Sequence, residues 1–403
     1  MTVVPTGWRA TTLGAVGDYY NGRGFKKSEW RTSGGRPIIR IQNLTGSSNV
    51  FNHFDGDAEE RYTARQGDLL VSWAATLGAY LWDGPEAVVN QHIFKVESRL
   101  DTRFHKYLLD HHLGALGRET HGSGMVHVTR GRFDALPIVV PESADEQRRI
   151  VAVLEDHLSR LDATDAYLAA SQRRASALLS SALQALVASS RAATGPQRLG
   201  DVARWGSGGT PRAGDSRYYD GGTIPWAVIG DLDDGPLTTT ARRITEDGLR
   251  ESAAKWVPPG SVLVAMYGSI GKLGLPETRV TTNQAIAYAL PHDGLTRSFL
   301  YWFLRSQRPA FTAAGKGGTQ KNISQTTLKN WSIHVPDLPT QSALVAACED
   351  ASQASSRLTT QASQLRHRGT ALRRALLTAA FTGRLTGRSS DMDLTEELAE
   401  ATA

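Results

Sequence analysis

Cysteine is almost absent. Cys348 is the single one in 403 residues, so no disulfide can form within the chain. It stands at an apolar position of a helical pattern and is expected to serve packing rather than chemistry. Long hydrophobic runs are missing too. Stretches such as LPIVV fall far short of the roughly 20 residues a membrane helix needs. The opening MTVVPTGWRATTLG has neither the basic nor the apolar block of a signal peptide. These features predict a soluble, cytoplasmic protein. A strong charge of one sign is also lacking, since 45 Lys and Arg stand against 40 Asp and Glu for a net +5. That balance fits a polyanion partner without requiring one. The acidic end, DMDLTEELAEA, leaves the rest of the chain more basic than the total, and its unpatterned polarity predicts disorder.

Catalytic signatures are missing as well. GSIGKL resembles a phosphate loop only in part, because its first glycine is misplaced and Leu273 stands where a Mg²⁺-holding Ser or Thr belongs. HGSG is no nucleophile elbow, and His105, His111 and His112 have no Cys, Asp or His group at metal spacing. Those histidines read as a solvated helix face. No glycine-rich cofactor loop and no Asn-Pro-Pro-aromatic motif of an adenine methyltransferase is present. Any chemistry is expected to come from a partner.

What the sequence does contain is one text written twice. GDLLVSWAATLGAYLWDGPEAVVNQ, from Gly67, aligns without a gap on GSVLVAMYGSIGKLGLPETRVTTNQ, from Gly260, and ends like it on Asn-Gln. The borders repeat in the same order, as a doubled domain requires. LGAV from Leu13 matches LGDV from Leu199, PIIRIQNL from Pro37 matches PWAVIGDL from Pro225, and VTRGRFDALPIVVP from Val128 matches ISQTTLKNWSIHVP from Ile323. A long helical pattern follows each closing proline. The chain is therefore two copies of a globule of about 130 residues and a helix of about 40.

Within each globule, short β-branched runs predict strands: PIIRIQ, DLLVSWA and HIFKV in the first, IPWAVI, SVLVAMY and AIAYAL in the second. FHKYLLDHHLGALG and RSFLYWFLRSQ predict a helix in each, so the class is mixed α/β (α+β). The long helices carry apolar stripes, Ile150, Leu154, Leu158, Leu161, Leu168, Leu179, Leu183 and Leu186 in one, and Leu344, Cys348, Leu358, Leu365, Leu372, Leu376 and Ala379 in the other. Each would reach about 60 Å, more than one globule can cover. Pairing of the two as an antiparallel coiled coil is the economical solution, and it makes the repeat pseudo-twofold. The expected boundaries are 1–141 and 198–336 for the globules, 142–190 and 337–385 for the helices, 191–197 for a linker and 386–403 for the tail.

The copies differ most in glycine-rich loops that carry cations and aromatics, where recognition usually resides. The first offers Arg23, Lys26, Lys27 and Arg31 beside Phe25 and Trp30, then His127, Arg130 and Arg132. The second offers Arg212 and Arg217, then Lys316, Gln320, Lys321 and Asn322. Lys and Arg suit phosphates, whereas Arg, Asn and Gln suit base edges.

WRATTLGAV, QRLGDVARWGSGGTPR, IPWAVIGDL, the two blocks closing in NQ, PESADEQRRIVAVLEDHLSRLD and LLTAAFTGRLT occur here in order across nearly the whole chain. In that order they resemble the specificity subunit of type I restriction-modification systems. The first helix ends LLSSALQAL where the second has LLTAAFTGRL, a departure from the usual ending. The resemblance implies two target-recognition domains reading a bipartite, asymmetric double-stranded DNA site, with the coiled coil setting the spacing. It implies adenine-N6 methyltransferase (modification) subunits docked on the helices and an ATP-dependent restriction subunit joining them. S-adenosylmethionine, ATP and Mg would then sit on those partners and none on this chain. The other readings are a duplicated protein-binding adaptor, a DNA reader of another defence complex and a stand-alone enzyme.

Overall fold

The computed structural model describes residues 4–74, 76–119, 130–317 and 321–386. The chain divides into two compact units, residues 1–167 with 363–403, and residues 168–362. Each unit thus takes one globule and a segment of both long helices, rather than a globule followed by its own helix. The helices run Ala144–Ala193 and Leu338–Phe381.

In the first unit, Leu69–Ser72 is buried along its whole length and lies between Ile93–Ser98 and Gly78–Leu81, with Gly17–Asn21 completing the sheet. A strand covered on both faces reads as a continuous apolar run, as DLLVSWA does. A second sheet orders Asn52–Phe54, Arg36–Ile39, Ala87–Val89 and Thr63–Ala64, with Arg36–Ile39 parallel to Ala87–Val89. The helix Thr102–Glu119 buries Phe104, Leu108 and Leu109, and Trp8–Thr12 pairs with Pro137–Pro141 to close the globule.

The second unit repeats this frame. Its first sheet orders Ala203–Ser207, Ile286–Pro291, Val262–Ala265, Leu273–Pro276 and Gly235–Leu237, and its second Arg243–Ile244, Ile224–Ala227 and Thr281–Thr282. Ile224–Ala227 runs parallel to Thr281–Thr282, the counterpart of the parallel pair in the first unit. The helix Arg297–Ala314 buries Phe299 to Leu304, and Gln197–Arg198 pairs with Ser332–Ile333. The expected strands PIIRIQ and IPWAVI end early, because the chain turns into a short helix at Ile41–Leu44 and at Ile229–Asp231. The cause is side-chain competition for the backbone. Asn43 accepts from the Arg40 N–H at 3.0 Å, and Asp231 from the Val228 N–H at 2.8 Å.

In each unit the two helix segments run antiparallel. In the first, Ile150 and Leu154 share a core with Leu376, Ala379 and Phe381, and Arg373 bridges Asp162 and Asp165 at 2.8 and 2.9 Å. In the second, Leu186 shares a core with Val345 and Cys348. Cys348 is fully buried and burial pushes its thiol up to about 11, which keeps it protonated and suits packing. The expected stripe needs one correction, because Leu358 and Leu365 are 38% and 45% exposed. Small residues, Ala351 and Ala362, take the buried positions there and leave the leucines outside.

The start of each long helix is locked to its globule by one buried glutamine. Gln147 accepts from the Asp101 N–H at 2.8 Å and donates to the Pro141 carbonyl at 3.1 Å. Gln341 accepts from the Thr296 N–H at 2.9 Å and donates to the carbonyls of Pro336 and Gly294, at 2.8 and 2.6 Å. These glutamines occupy equivalent positions and satisfy groups that would otherwise be buried without partners.

A second correction concerns the histidines. His105 is fully buried, with Tyr19 Oη and Ser98 Oγ each 2.8 Å from its ring nitrogens. Burial pushes it down to about 4, and burial followed by the charge of His111 does the same to His112. His111 packs its ring 5.5 Å from that of Phe381. The spacing 105, 108, 109 and 112 puts two of these histidines on the helix's apolar face, not the solvated one. No helix among the described residues is long and apolar enough to cross a membrane, and the acidic stretch from 387 lies outside the described residues.

Candidate nucleic-acid interface

Both globules build one turn in the same way. Asn90 donates its N–H to the Ile39 carbonyl at 3.0 Å and Asn283 donates to that of Ala227 at 3.1 Å. Each asparagine carbonyl then accepts the N–H three residues on, from Ile93 at 3.0 Å and from Ile286 at 3.3 Å. Their side chains accept from the N–H of His92 and of Ala285. In the repeated Asn-Gln the asparagine is thus the turn former, leaving Gln91 and Gln284 exposed at the tip. The loop after the first strand packs against this turn. A Cβ on Gly22 would overlap the Asn90 carbonyl oxygen, and one on Gly208 that of Thr282, so only glycine lets the two backbones approach. The Arg23 N–H then bonds the Val89 carbonyl at 2.8 Å, and the Gly209 N–H bonds that of Thr282 at 3.0 Å.

In the second unit three loops converge beside that turn. Met266 donates its N–H to Ala285 at 2.8 Å and accepts that of Ile323 at 2.9 Å, which ties the turn to the segment carrying Lys321 and Asn322. Lys316 and Asn322 exchange backbone hydrogen bonds at 2.9 and 2.8 Å. Tyr267, 43% exposed, faces Asn322 across a bridge, and Thr210 donates its hydroxyl to Gln284 Oε1. Arg212 follows two residues after Thr210 and is exposed. Lys316, Lys321 and Arg212 make no ion pair among the described residues, which leaves their charge available to an outside anion. Arg217 does not share that freedom, since it hydrogen-bonds Tyr218, lies 4.6 Å from that ring and bridges Glu251 at 3.0 Å.

The loop is braced from behind by Asp234, the one non-glycine residue with a positive φ, 55°, among the described residues. It pairs with both terminal nitrogens of Arg308 and accepts the Leu273 N–H at 2.9 Å, while Arg308 Nε donates to the Gly271 carbonyl at 2.9 Å. Burial works to raise the Asp234 carboxyl, but the bonds from Arg308 and Leu273 outweigh it and hold it below the usual range. The likeness of GSIGKL to a phosphate loop ends here. Leu273 begins a strand rather than a helix, and Lys272 lies 3.8 Å from Asp233.

In the first unit Lys26, Lys27 and Arg31 are exposed, and among them only Arg31 makes a side-chain bond, to the Ser28 carbonyl at 3.2 Å. Arg23 lies in the same loop but faces inward. It bridges Glu29 at 2.6 Å and sits 4.8 and 4.5 Å from the rings of Phe25 and Phe54, so it organises the loop instead of projecting from it. The Lys26 N–H and then Arg23 hold the Glu29 carboxyl below its ordinary value. Arg130 opens a short helix and pairs with Asp134 at 3.3 Å. His127 and Gln320 lie outside the described residues. Gln91, Gln284 and Tyr267 are exposed at these turns and loops without carrying charge, and the repeated Asn-Gln marks the first two in the sequence. Among the described residues no group of three His, Cys, Asp or Glu could hold a metal ion.

Two globules of one frame, alike in the strand-and-turn scaffold and unlike in the cation-bearing loops mounted on it, define a doubled recognition module. The family model described as Type I restriction modification DNA specificity domain matches this chain twice, over residues 5–168 and 195–364. The chain belongs to that family. It is 24% identical over 424 residues to the type I restriction enzyme EcoBI specificity subunit of Escherichia coli, covering 96% of this chain and 88% of that one. The EcoR124I/EcoR124II specificity subunit of Escherichia coli is 27% identical over 153 residues, 36% of this chain and 38% of that one. The fold of the present chain matches a chain from a study of complex assembly and conformational transition of the type I R-M system with a TM-score of 0.74, at 20% identity, over 95% of this chain and all of that one. The crystal structure of the HsdS subunit from Thermoanaerobacter tengcongensis matches with a TM-score of 0.55, at 21% identity, over 95% and 98% of the two chains. This chain is accordingly a specificity subunit, whose task is recognition and not catalysis.

Proposed function

We propose that the chain reads a bipartite, asymmetric double-stranded DNA site, each unit contacting one half, and carries the subunits that methylate and cut. The observation that carries this reading is the pairing of a common scaffold with different loops. A shared frame presents side chains at equivalent places, and different side chains there read different base edges. Lys26, Lys27 and Arg31 in the first unit, and Arg212, Lys316 and Lys321 in the second, have the exposure for phosphates, and Asn322 is exposed with a side chain of the type that reads base edges. Arg23, Arg130 and Arg217 support their loops first, through Glu29, Asp134 and Glu251. Gln320 and His127 keep the roles their residue types suggest. Adenine-N6 methyltransferase subunits dock on the long helices, where Leu178 and Leu358 in the second unit, and Tyr167 and Leu365 in the first, are exposed. An ATP-dependent restriction subunit completes the complex. S-adenosylmethionine, ATP and Mg are held by the partners, and the assembly works in the cytoplasm.

The test is DNA binding by the chain in complex with its modification subunits, measured across a salt series. Lys321→Ala is expected to weaken binding on every sequence and to lower the salt slope by about 1, as loss of one phosphate contact does. Asn322→Ala is expected to alter preference within one half-site only. Unchanged affinity and slope for Lys321→Ala would remove this loop from the interface.

A further inference from the structure

The turn tips pose a problem that the loops do not. If the two units read different sequences, the residues that discriminate should differ between them, yet Gln91 and Gln284 are the same residue at the same exposed place. The surroundings have diverged, with Gly24 beside Gln91 and Thr210 beside Gln284. The hydrogen bonds that form the turn come from its asparagine, described above, and none from the glutamine side chain. What two unequal half-sites have in common is their backbone.

We propose that Gln91 and Gln284 are sequence-independent anchors, each donating its side-chain amide N–H to a DNA phosphate oxygen and so fixing its unit on the duplex while the neighbouring loops read bases. In the second unit Thr210 donates to Gln284 Oε1, which satisfies the acceptor and leaves the two amide N–H groups to donate outward. In the first unit Gln91 Oε1 lies against Gly24, where a Cβ would leave it no room, and Nε2 is 3.3 Å from His92 Nε2. Exposed cations of the proposed interface follow in the same loops, Lys26 and Lys27 shortly after Gly24 and Arg212 two residues after Thr210. Amide side chains are among the groups that contact phosphates and set register without reading sequence.

This inference rests on the DNA-reading function proposed above, and the experiment separates the two. Gln284→Ala, Gln91→Ala and Gln284→Lys would be compared with the unaltered chain in complex with modification subunits. The readouts are assembly, DNA affinity across a salt series and the methylated motif. The alanine variants are expected to assemble normally and bind about 5- to 10-fold more weakly on every sequence. Their motif and salt slope should not change, because a neutral donor releases no counterion. Gln284→Lys is expected to restore affinity with a steeper slope. A motif altered in one half would make the glutamine a base reader, lost assembly would make it a protein contact, and unchanged affinity would make it a spectator. Each of those overturns the proposal. Failure of the unaltered complex to bind DNA would instead overturn the reading on which it rests.

Discussion

Gln341→Ala is expected to destabilise the second unit by roughly 2–4 kcal/mol, out of proportion to one surface-distant polar side chain. Gln341 is fully buried and satisfies four groups at once, the N–H and hydroxyl of Thr296 and the carbonyls of Gly294 and Pro336. Alanine removes the partner of all four, and the buried Pro336 carbonyl above all is left desolvated and unpaired, which costs more than the hydrogen bond contributes net. Gln341→Glu should do no better, because a carboxylate would face two carbonyl oxygens that now receive amide N–H donors. Hydrogen exchange resolved by peptide gives the readout, with faster exchange around Thr296 and the start of the second long helix and little change in the first unit. Gln147→Ala should produce the mirror image. A loss below about half a kcal/mol would show that the lock is dispensable.

Acid should weaken the first unit more than the second. His105 is buried without charge and its folded value is pushed down to about 4 from an ordinary 6.5. The unfolded chain therefore takes up this proton first as pH falls. The stabilisation is fully present above about 6.5 and is lost on the way down to about 4, a difference on the order of 3 kcal/mol from this one group. The second unit has fully buried Leu300 at the matching helix position, one residue after Phe299 as His105 is one after Phe104, so it lacks this sensitivity. Protection factors, which correct exchange for its own pH dependence, should fall selectively between about pH 7 and 4.5 in the sheet that holds Tyr19 and Ser98. His105→Leu should remove its share of the pH dependence and leave that of His112, while leaving the Tyr19 hydroxyl without its partner. Equal acid sensitivity of the two units would contradict the assignment.

These cases show which parts of the molecule could be read in advance. Leu69–Ser72 and Val262–Ala265 are buried along their length, and their runs of apolar residues were legible as central strands. The long helices were legible from their periodic stripes. Their division between the units was not, because the start of one helix shares a core with the end of the other, and such pairing is non-local. Residue type alone points His105 and His112 to solvent, whereas their helical spacing puts them with Leu108 and Leu109. The loop cations were easy to find but not to sort. Whether an arginine projects, as Arg212 does, or is held, as Arg23 is by Glu29, Phe25 and Phe54, depends on partners brought by other strands. The asparagine-glutamine turn was visible as a repeat, and only the hydrogen bonds divide its labour between a turn former and an exposed tip.

The central claim is that each unit reads its own half of one DNA site. Mapping methylated adenines genome-wide, by single-molecule sequencing in a host without other methyltransferases, tests it most directly. This chain would be expressed with a modification subunit that assembles with it, unaltered and with Asn322→Ala. The expected result is one motif in two unequal parts separated by an unread spacer, with only one part altered by the substitution. A stable complex that methylates no such motif, or a substitution that changes both parts alike, would contradict the account.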